Sequence, residues 1–190
     1  MLNLIITSLL FLIVILSGLW MIVPAFYGPP SVPTRMNRIR KALQLANLQP
    51  GETVYDLGAG DGRVLLMATS EFHANAVGVE VGPVQCLLIK LRALSSGQGD
   101  KIRVKWGSYF KVDLKDADVA FIYATSKETI KLAAHLKNQM KPGSRLVSIS
   151  ADFPEWEPTT IDELELIFLY NMPPVAGNPT TYLMKKSNSS

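Results

Sequence analysis

The sequence has few of the side chains that cross-link a chain or ligate metals. Its 190 residues include one cysteine, Cys86, and two histidines, His73 and His135. A single cysteine excludes an intramolecular disulfide and suits a reducing compartment. Cys86 lies in an apolar helical run, where core packing is its expected role, and the two histidines lack the spacing of metal ligands. The sequence therefore predicts neither a disulfide nor a metal site.

Charge is missing from the start of the chain, where no charged side chain precedes Arg35. The run Leu4–Val23, twenty residues, would span about 30 Å as a helix, which matches the hydrocarbon core of a bilayer. A cleaved signal peptide would have a basic start and a shorter apolar core, and a buried helix would rarely lead into a further uncharged, proline-rich stretch. We therefore predict a transmembrane anchor over residues 1–27 and a proline-rich linker over residues 28–34.

Four basic residues follow this run closely: Arg35, Arg38, Arg40 and Lys41. By the positive-inside rule they place the rest of the chain on the cytoplasmic side of a membrane. The N-terminus lacks an Arg-rich presequence, so a prokaryotic plasma membrane is favoured and a mitochondrial inner membrane is the alternative. Without these four residues, 15 basic side chains face 16 acidic ones. The net charge of +3 therefore does not predict a nucleic-acid partner.

After the linker, short apolar strands alternate with amphipathic helices up to about residue 151. The predicted strands are TVYDL, AVGVE, IRVKWG, DVAFIYA and RLVSISA. This alternation predicts an α/β fold, a Rossmann-like doubly wound sheet of mostly parallel strands, in one domain over residues 35–186. The runs ELELIFLYNMPP and TTYLMKK have no helix between them and predict a C-terminal antiparallel strand pair. Thr34 is a candidate cap for the first helix of the domain.

Glycines are concentrated in VYDLGAGDGRV, residues 54–64, where Gly58, Gly60 and Gly62 separate two apolar runs. A glycine-rich turn that leaves a first strand and opens a helix lets backbone N–H groups meet a ligand closely. Glu80 ends the second predicted strand, 22 residues after Gly58, where a carboxylate can accept hydrogen bonds from ribose hydroxyls. Together these features predict a ligand that contains adenosine.

The detail of the loop selects among such ligands. A dinucleotide fingerprint would have its third glycine at position 63, where this chain has Arg63. Asp56 precedes the glycines and Asp61 lies among them, and both carboxylates would repel a pyrophosphate. They suit a ligand with a cationic end, such as S-adenosylmethionine with its ammonium and sulfonium. The simpler interpretation is that Asp56 caps the loop and Asp61 is solvated.

VYDLGAGDGRV followed by GVEV resembles the first motif and the next acidic position of the class I, seven-stranded methyltransferases. More narrowly, the chain resembles the small membrane-anchored protein-lysine methyltransferases, a family that includes the mitochondrial enzymes for the adenine nucleotide translocase and the ATP synthase c subunit. The segments that carry this resemblance are the N-terminal run, VPT, DADVAFIYAT and RLVSISADFPEWEP. It implies that residues 35–186 form a methyltransferase domain that uses S-adenosylmethionine.

The resemblance also implies which residues bind the cofactor. The implied methionine-end and turn residues are Asp56, Gly58, Gly60, Asp61 and Gly62. Glu80 would bind the ribose, and Thr34 would close over the cofactor. Related enzymes often place an acidic or amide residue near the adenine amino group, where this chain departs with Ser108. Tyr109 or Phe110 would supply a ring against the base, although both also suit the core.

A lysine amine attacks a methyl group only when it is neutral, and an apolar pocket beside a sulfonium lowers the pKa of the amine. In open α/β sheets such a pocket lies beyond the carboxyl ends of the strands. The candidate catalytic residues there are Tyr123, Thr125, Asp152 and Trp156. Taken singly, each of them suits packing or helix capping at least as well.

The leading hypothesis is therefore a membrane-tethered enzyme that methylates lysine of a membrane or membrane-proximal protein. A second hypothesis keeps the cofactor and changes the acceptor to a lipid-soluble small molecule. A third is a non-catalytic membrane module that binds the nucleotide. A nicotinamide-dependent reductase is the fourth, and Arg63 in place of glycine argues against it.

Overall fold

The computed structural model describes residues 2–27 and 34–187, with side chains described except at positions 2, 19–27 and 185. The helices are α1 (Leu2–Tyr27), α2 (Met36–Leu45), α3 (Arg63–Ser70), α4 (Pro83–Ser95), α5 (Ser126–Gln139) and α6 (Pro179–Ser187). The strands are β1 (Thr53–Leu57), β2 (Asn75–Glu80), β3 (Ile102–Trp106), β4 (Val119–Tyr123), β5 (Arg145–Ile149), β6 (Trp156–Glu157), β7 (Thr160–Asp162), β8 (Ile167–Asn171) and β9 (Val175–Ala176).

The N-terminal segment forms the single long helix α1. The predicted transmembrane character is not supported: among the described residues, no helix combines the length and the hydropathy needed to cross a bilayer. The predicted linker, residues 28–34, lies outside the described residues except for Thr34. The predicted cellular location stays a prediction.

Seven strands form one sheet in the order β3-β2-β1-β4-β5-β8-β7. Strands β1 to β5 pair in parallel, while β8 runs antiparallel to both of its neighbours, β5 and β7. Each parallel pair needs a crossover connection, and α3, α4 and α5 supply three of them. The predicted Rossmann-like sheet with an antiparallel pair is confirmed. A separate two-stranded sheet pairs β6 with β9.

Helices cover both faces of the sheet because successive strand residues point to opposite sides. Val54 joins a buried cluster with Ile39 of α2, Leu65 of α3 and Ile89 of α4. The next strand residue, Tyr55, joins the opposite cluster, which contains Leu132 and Leu136 of α5. Burying one such aliphatic side chain contributes about 1.5–3 kcal/mol to folding. The two apolar layers hold the strand ends, and the loops that follow them, in place.

The antiparallel pair does not consist of the two runs that the sequence suggested. β8 lies inside the first run, but its antiparallel partners are β5 and β7, and the second run lies in α6. Asn178 Oδ1 accepts the N–H of Thr181 at 3.0 Å, and Pro179 begins the helix. An asparagine cap followed by proline is a helix-start signal. It overrides the strand-like composition of residues 180–186.

The predicted cap of α2 is also wrong by one position. Arg35, not Thr34, is the residue that precedes the helix, and its side chain makes no capping hydrogen bond. The Thr34 carbonyl instead accepts a hydrogen bond from Arg63 Nη1 at 2.8 Å. Thr34 is therefore held by the start of α3, next to the glycine-rich loop.

Candidate functional site: a glycine-rich loop at the strand ends

The loop between β1 and α3 needs its glycines for backbone conformation. Gly58, Gly60 and Gly62 have φ angles of 113°, 53° and 79°, in a region that other L-residues rarely adopt. A Cβ at position 62 would also lie 3.0 Å from the Ile89 side chain of α4. A Cβ at position 58 would meet no atom within 4 Å among the described residues. The backbone of Gly58 thus faces open space, where a ligand can approach it.

Glu80 is the acidic residue that ends β2, and its carboxylate is hydrogen-bonded to the backbone of the glycine-rich loop. One oxygen accepts the Gly60 N–H and the other accepts the Gly82 N–H, each at 2.8 Å. The side chain is 9% exposed. Because each carboxylate oxygen can accept a second hydrogen bond, Glu80 can order the loop and still receive a ribose hydroxyl.

Asp56 lies beneath the loop in a different environment. It is 4% exposed, and among the described residues no donor forms a hydrogen bond to its carboxylate. Burial, and then the negative charges of Glu80 and Asp61, raise the pKa of Asp56 to about 8. A buried carboxylate without a partner is costly. A cationic group brought into the loop would offset that cost, so the site fits the ammonium end of S-adenosylmethionine and not a phosphate.

Asp61 is held by two arginines. Arg63 Nη2 lies 2.6 Å from Asp61 Oδ2, and Arg92 Nη1 lies 3.4 Å from the same oxygen. Hydrogen bonding from Arg63 is the main reason that the pKa of Asp61 is lowered. The charge of Asp61 is therefore already compensated, whereas an ionised Asp56 would have no such partner. Its predicted contact with the ligand ammonium stays a prediction, and its evident role is to hold the loop against α3 and α4.

The segment after β3 brings Tyr109 to the start of α5. The Tyr109 hydroxyl donates to Glu128 Oε1, and burial followed by this contact raises the pKa of the phenol well above its usual value. Glu128 Oε2 accepts the Thr125 hydroxyl at 2.8 Å and the Thr125 N–H at 2.9 Å. The N–H bond is one half of a capping box, and the Glu128 N–H completes it at the Thr125 side chain. Ser108 is exposed and accepts the Phe110 N–H at 3.3 Å. One carboxylate thus links Tyr109 and Thr125.

Tyr123 ends β4 with its side chain 38% exposed. The Arg38 guanidinium of α2 lies over the Tyr123 ring, 5.7 Å from its centre. Arg38 Nη2 also donates to Ser150 Oγ at 3.0 Å, just beyond β5. Arg38 Nε donates to the Glu165 carbonyl at 2.7 Å. Arg38 therefore lines one side of the space beyond β4 and β5. The sequence did not predict this role for Arg38.

The structure separates the two remaining acceptor candidates. Trp156 is 6% exposed and stacks on Phe153, with ring centres 4.6 Å apart and planes 11° apart. Tyr170 meets both rings edge-on. Asp152, by contrast, is only partly buried. Trp156 is thus part of the hydrophobic core, while Tyr123, Thr125 and Asp152 remain accessible at the strand ends.

The contacts missed by sequence reasoning are those of Arg38, Arg92 and Glu128. Glu128 had a readable signal, since Thr125 and Glu128 in TSKE have the spacing of a capping box. Arg92 and Arg38 had none. Each meets its partners across long sequence separations, Arg92 with Asp61 and Arg38 with Glu165, and only the packed helices bring those groups together.

A parallel sheet with an antiparallel insertion at β8 and a glycine-rich loop after β1 define a methyltransferase of the S-adenosylmethionine-dependent class. A solved structure supports this class, an RNA methyltransferase from Salinibacter ruber in complex with S-adenosyl-L-homocysteine. It is 30% identical, covers 75% of this chain and 94% of its own, and has a TM-score of 0.73. A methyltransferase from Geobacter sulfurreducens with the same ligand is 21% identical at a TM-score of 0.57, and it shows the fold alone.

The chain belongs to the family of the ANTKMT methyltransferase domain, whose model matches residues 56–160. A protein-lysine N-methyltransferase of Saccharolobus islandicus is 30% identical over 137 residues, which are 72% of this chain and 85% of that protein. The adenine nucleotide translocase lysine N-methyltransferase of Mus musculus is 28% identical over 139 residues, 73% of this chain and 60% of the mouse protein. The family and the cofactor predicted from the sequence are confirmed.

Proposed function

We propose that this enzyme transfers a methyl group from S-adenosylmethionine to the side-chain amine of a lysine in a protein substrate. The observation that carries the donor half is the largely buried Asp56 side chain, which has no hydrogen-bond donor among the described residues, beside a loop whose Gly58 backbone faces open space. The lysine acceptor is supported by the names of two relatives, from Saccharolobus islandicus and mouse, that each cover more than two thirds of this chain.

In the donor half, we assign Asp56 to the cationic methionine end and Glu80 to the ribose. Gly58, Gly60 and Gly62 keep the loop free of side chains where the ligand meets the backbone. When bound, S-adenosylmethionine supplies a methyl group on a positively charged sulfur. The protein's contribution is to hold this donor and the acceptor in line, which is where much of the catalysis of such a displacement originates.

In the acceptor half, we assign the lysine to the space beyond β4 and β5, beside the Tyr123 ring. Arg38 over this ring adds a positive charge close to the entering amine. Like charge and partial desolvation both disfavour the ammonium form, so they favour the neutral amine that can attack. Trp156, which the sequence placed in this pocket, is assigned instead to the core that supports it.

RNA is a second candidate acceptor. The structural neighbour from Salinibacter ruber is named an RNA methyltransferase. At 30% sequence identity, it is as similar to this chain as the lysine methyltransferase of Saccharolobus islandicus. Lys90 of α4 and Arg103 of β3 are exposed and join no ion pair among the described residues, which also suits a polyanion. The lysine proposal rests on two named relatives of the family, and the two acceptors can be separated in one experiment.

The test is to incubate the purified full-length enzyme with methyl-labelled S-adenosylmethionine and an extract fractionated into protein, RNA and lipid. We expect label in protein, stable to nuclease and located on lysine by mass spectrometry. The Asp56→Ala variant, which removes the proposed ammonium partner, serves as the background control. Label confined to RNA, or to the lipid fraction, would contradict the proposed acceptor while leaving the cofactor assignment intact.

A further inference from the structure

Helix α4 has apolar side chains on two faces. Its buried face consists of Cys86, Ile89 and Ala93. Its other face is an apolar stripe that we define as Val84, Leu87, Leu88, Leu91 and Leu94. These five residues are spaced by one, three or four positions, so they form one continuous strip along the helix. They are 42%, 56%, 46%, 53% and 69% exposed.

The stripe continues onto the edge of the sheet. Trp106 ends the edge strand β3, is 71% exposed, and donates its indole N–H to the carbonyl of Val81 at 2.9 Å, just before α4. This bond holds the large ring next to the first turn of the helix. Contiguous exposed apolar surface of this kind marks an interaction site, whereas scattered apolar residues do not.

The charges around the stripe have one sign. Helix α4 and strand β3 carry Lys90, Arg92, Arg103 and Lys105, and neither element has an acidic residue. Residues 83–106 contain five basic and one acidic side chain, a net charge of +4 against +3 for the whole chain. Lys90 lies three residues after Leu87 and four before Leu94, so it borders the stripe directly.

Two of these cations are engaged within the protein. Arg92 donates to the Asp61 carbonyl at 2.6 Å, and Lys105 lies over the Tyr55 ring at 4.9 Å. Lys90, Lys101 and Arg103 have exposed side chains, and none of the three joins an ion pair among the described residues. These are the cations available to a partner.

We propose that the apolar stripe and its basic border form a docking surface for an anionic lipid bilayer. Leucines on one side of a helix, bordered by lysine and arginine with a tryptophan at one end, match an interfacial helix whose apolar face enters the headgroup region. A second copy of the chain would bring two basic surfaces together, and like charges oppose that pairing. RNA would satisfy the cations but offers no apolar surface to five aliphatic side chains.

This surface adjoins the donor site. Helix α4 begins three residues after Glu80, and Arg92 connects its last turn to the glycine-rich loop at Asp61. Docking would therefore set the distance between the cofactor loop and the bilayer surface. It would favour acceptors that lie close to a membrane.

The test uses the full chain with a local fluorescent reporter. In a Cys86→Ala background, Leu91→Cys is labelled with an environment-sensitive dye, and Lys131→Cys on the opposite helix layer is the matched control. Each protein is mixed with vesicles of phosphatidylcholine, with or without phosphatidylglycerol, and with a single-stranded RNA. Because the dye senses its own surroundings, contact by another part of the chain does not register.

We expect the emission of the dye at position 91 to rise about twofold or more with phosphatidylglycerol vesicles. The dye at position 131 should change little. The double substitution Lys90→Gln and Lys101→Gln should reduce the response at 91. Equal responses at both positions, equal responses to neutral and anionic vesicles, no response to vesicles, or a response to RNA in their place would each overturn the proposal.

Discussion

Replacing Asp56 by asparagine should stabilise the unliganded protein at neutral pH and weaken its binding of S-adenosylmethionine. The structure buries Asp56 without a hydrogen-bond donor among the described residues and raises its pKa from 3.8 to about 8. Asparagine has the shape of the protonated carboxyl group and no charge to desolvate. It therefore removes a cost of the folded state but also removes the proposed partner of the ligand ammonium.

The size and sign of the effect follow from the raised pKa. Between pH 3.8 and about 8 the unfolded chain has an ionised Asp56 while the folded protein keeps it protonated. The unfolded state binds fewer protons there, so the free energy of unfolding falls as pH rises. Each pH unit costs about 1.36 kcal/mol, which amounts to about 4 kcal/mol at pH 7. Below pH 3.8 the contribution vanishes because both states are protonated.

Denaturant unfolding of the wild type and Asp56→Asn, from about pH 4 to about pH 8, measures this difference. The stability gain of the variant should be near zero at the acid end and grow with pH. Asp61→Asn is the matched control with the opposite sign. Its carboxylate has a lowered pKa through Arg63, so the substitution should destabilise at neutral pH and matter less as the pH falls.

Ligand binding supplies the second measurement. The ligand ammonium is expected to bind only the ionised form of Asp56. The affinity of the wild type should therefore increase as the pH is raised towards 8, by up to about tenfold per pH unit. Asp56→Asn should lose both the affinity and this slope, as measured by calorimetry below about pH 7, where the ligand amine itself stays protonated. A destabilised Asp56→Asn protein, or a variant with wild-type affinity and slope, would refute the reasoning.

Three other substitutions test separate parts of the structure. Glu80→Ala should lower cofactor affinity at least about tenfold by removing the ribose partner and the Gly60 clamp; unchanged affinity by calorimetry with a folded circular-dichroism spectrum would disprove the assignment. Gly62→Ala should destabilise the fold by about 1–3 kcal/mol, since φ is 79° and Ile89 lies 3.0 Å away; an unchanged unfolding midpoint would show that the loop relaxes freely. Trp156→Ala should lower the free energy of unfolding by about 3–5 kcal/mol, because it removes the buried stacking on Phe153. A variant that loses turnover but keeps wild-type stability would instead show that Trp156 acts in the acceptor pocket.

Much of the fold was readable from local patterns. The parallel strands and their crossover helices follow from alternating apolar runs, and the apolar helical run around Cys86 is α4. The glycine-rich loop and Glu80 were readable because backbone conformation and strand ends are local properties. α6 was misjudged for the same reason: a strand-like composition was weighed above the short signal of Asn178 and Pro179.

The sequence by itself determined the class of the protein, because the spacing of glycines and carboxylates restricts which ligand can approach the backbone. It could not distinguish Asp56 from Asp61, two carboxylates five residues apart. Arg63 lies only two residues from Asp61 and is a local partner. Only the tertiary structure adds Arg92 to Asp61 and buries Asp56 without a partner. The same packing moves Trp156 into the core and brings Arg38 over Tyr123. Burial and charge at a site depend on elements distant in the chain, so the chemistry of each residue was decided by packing.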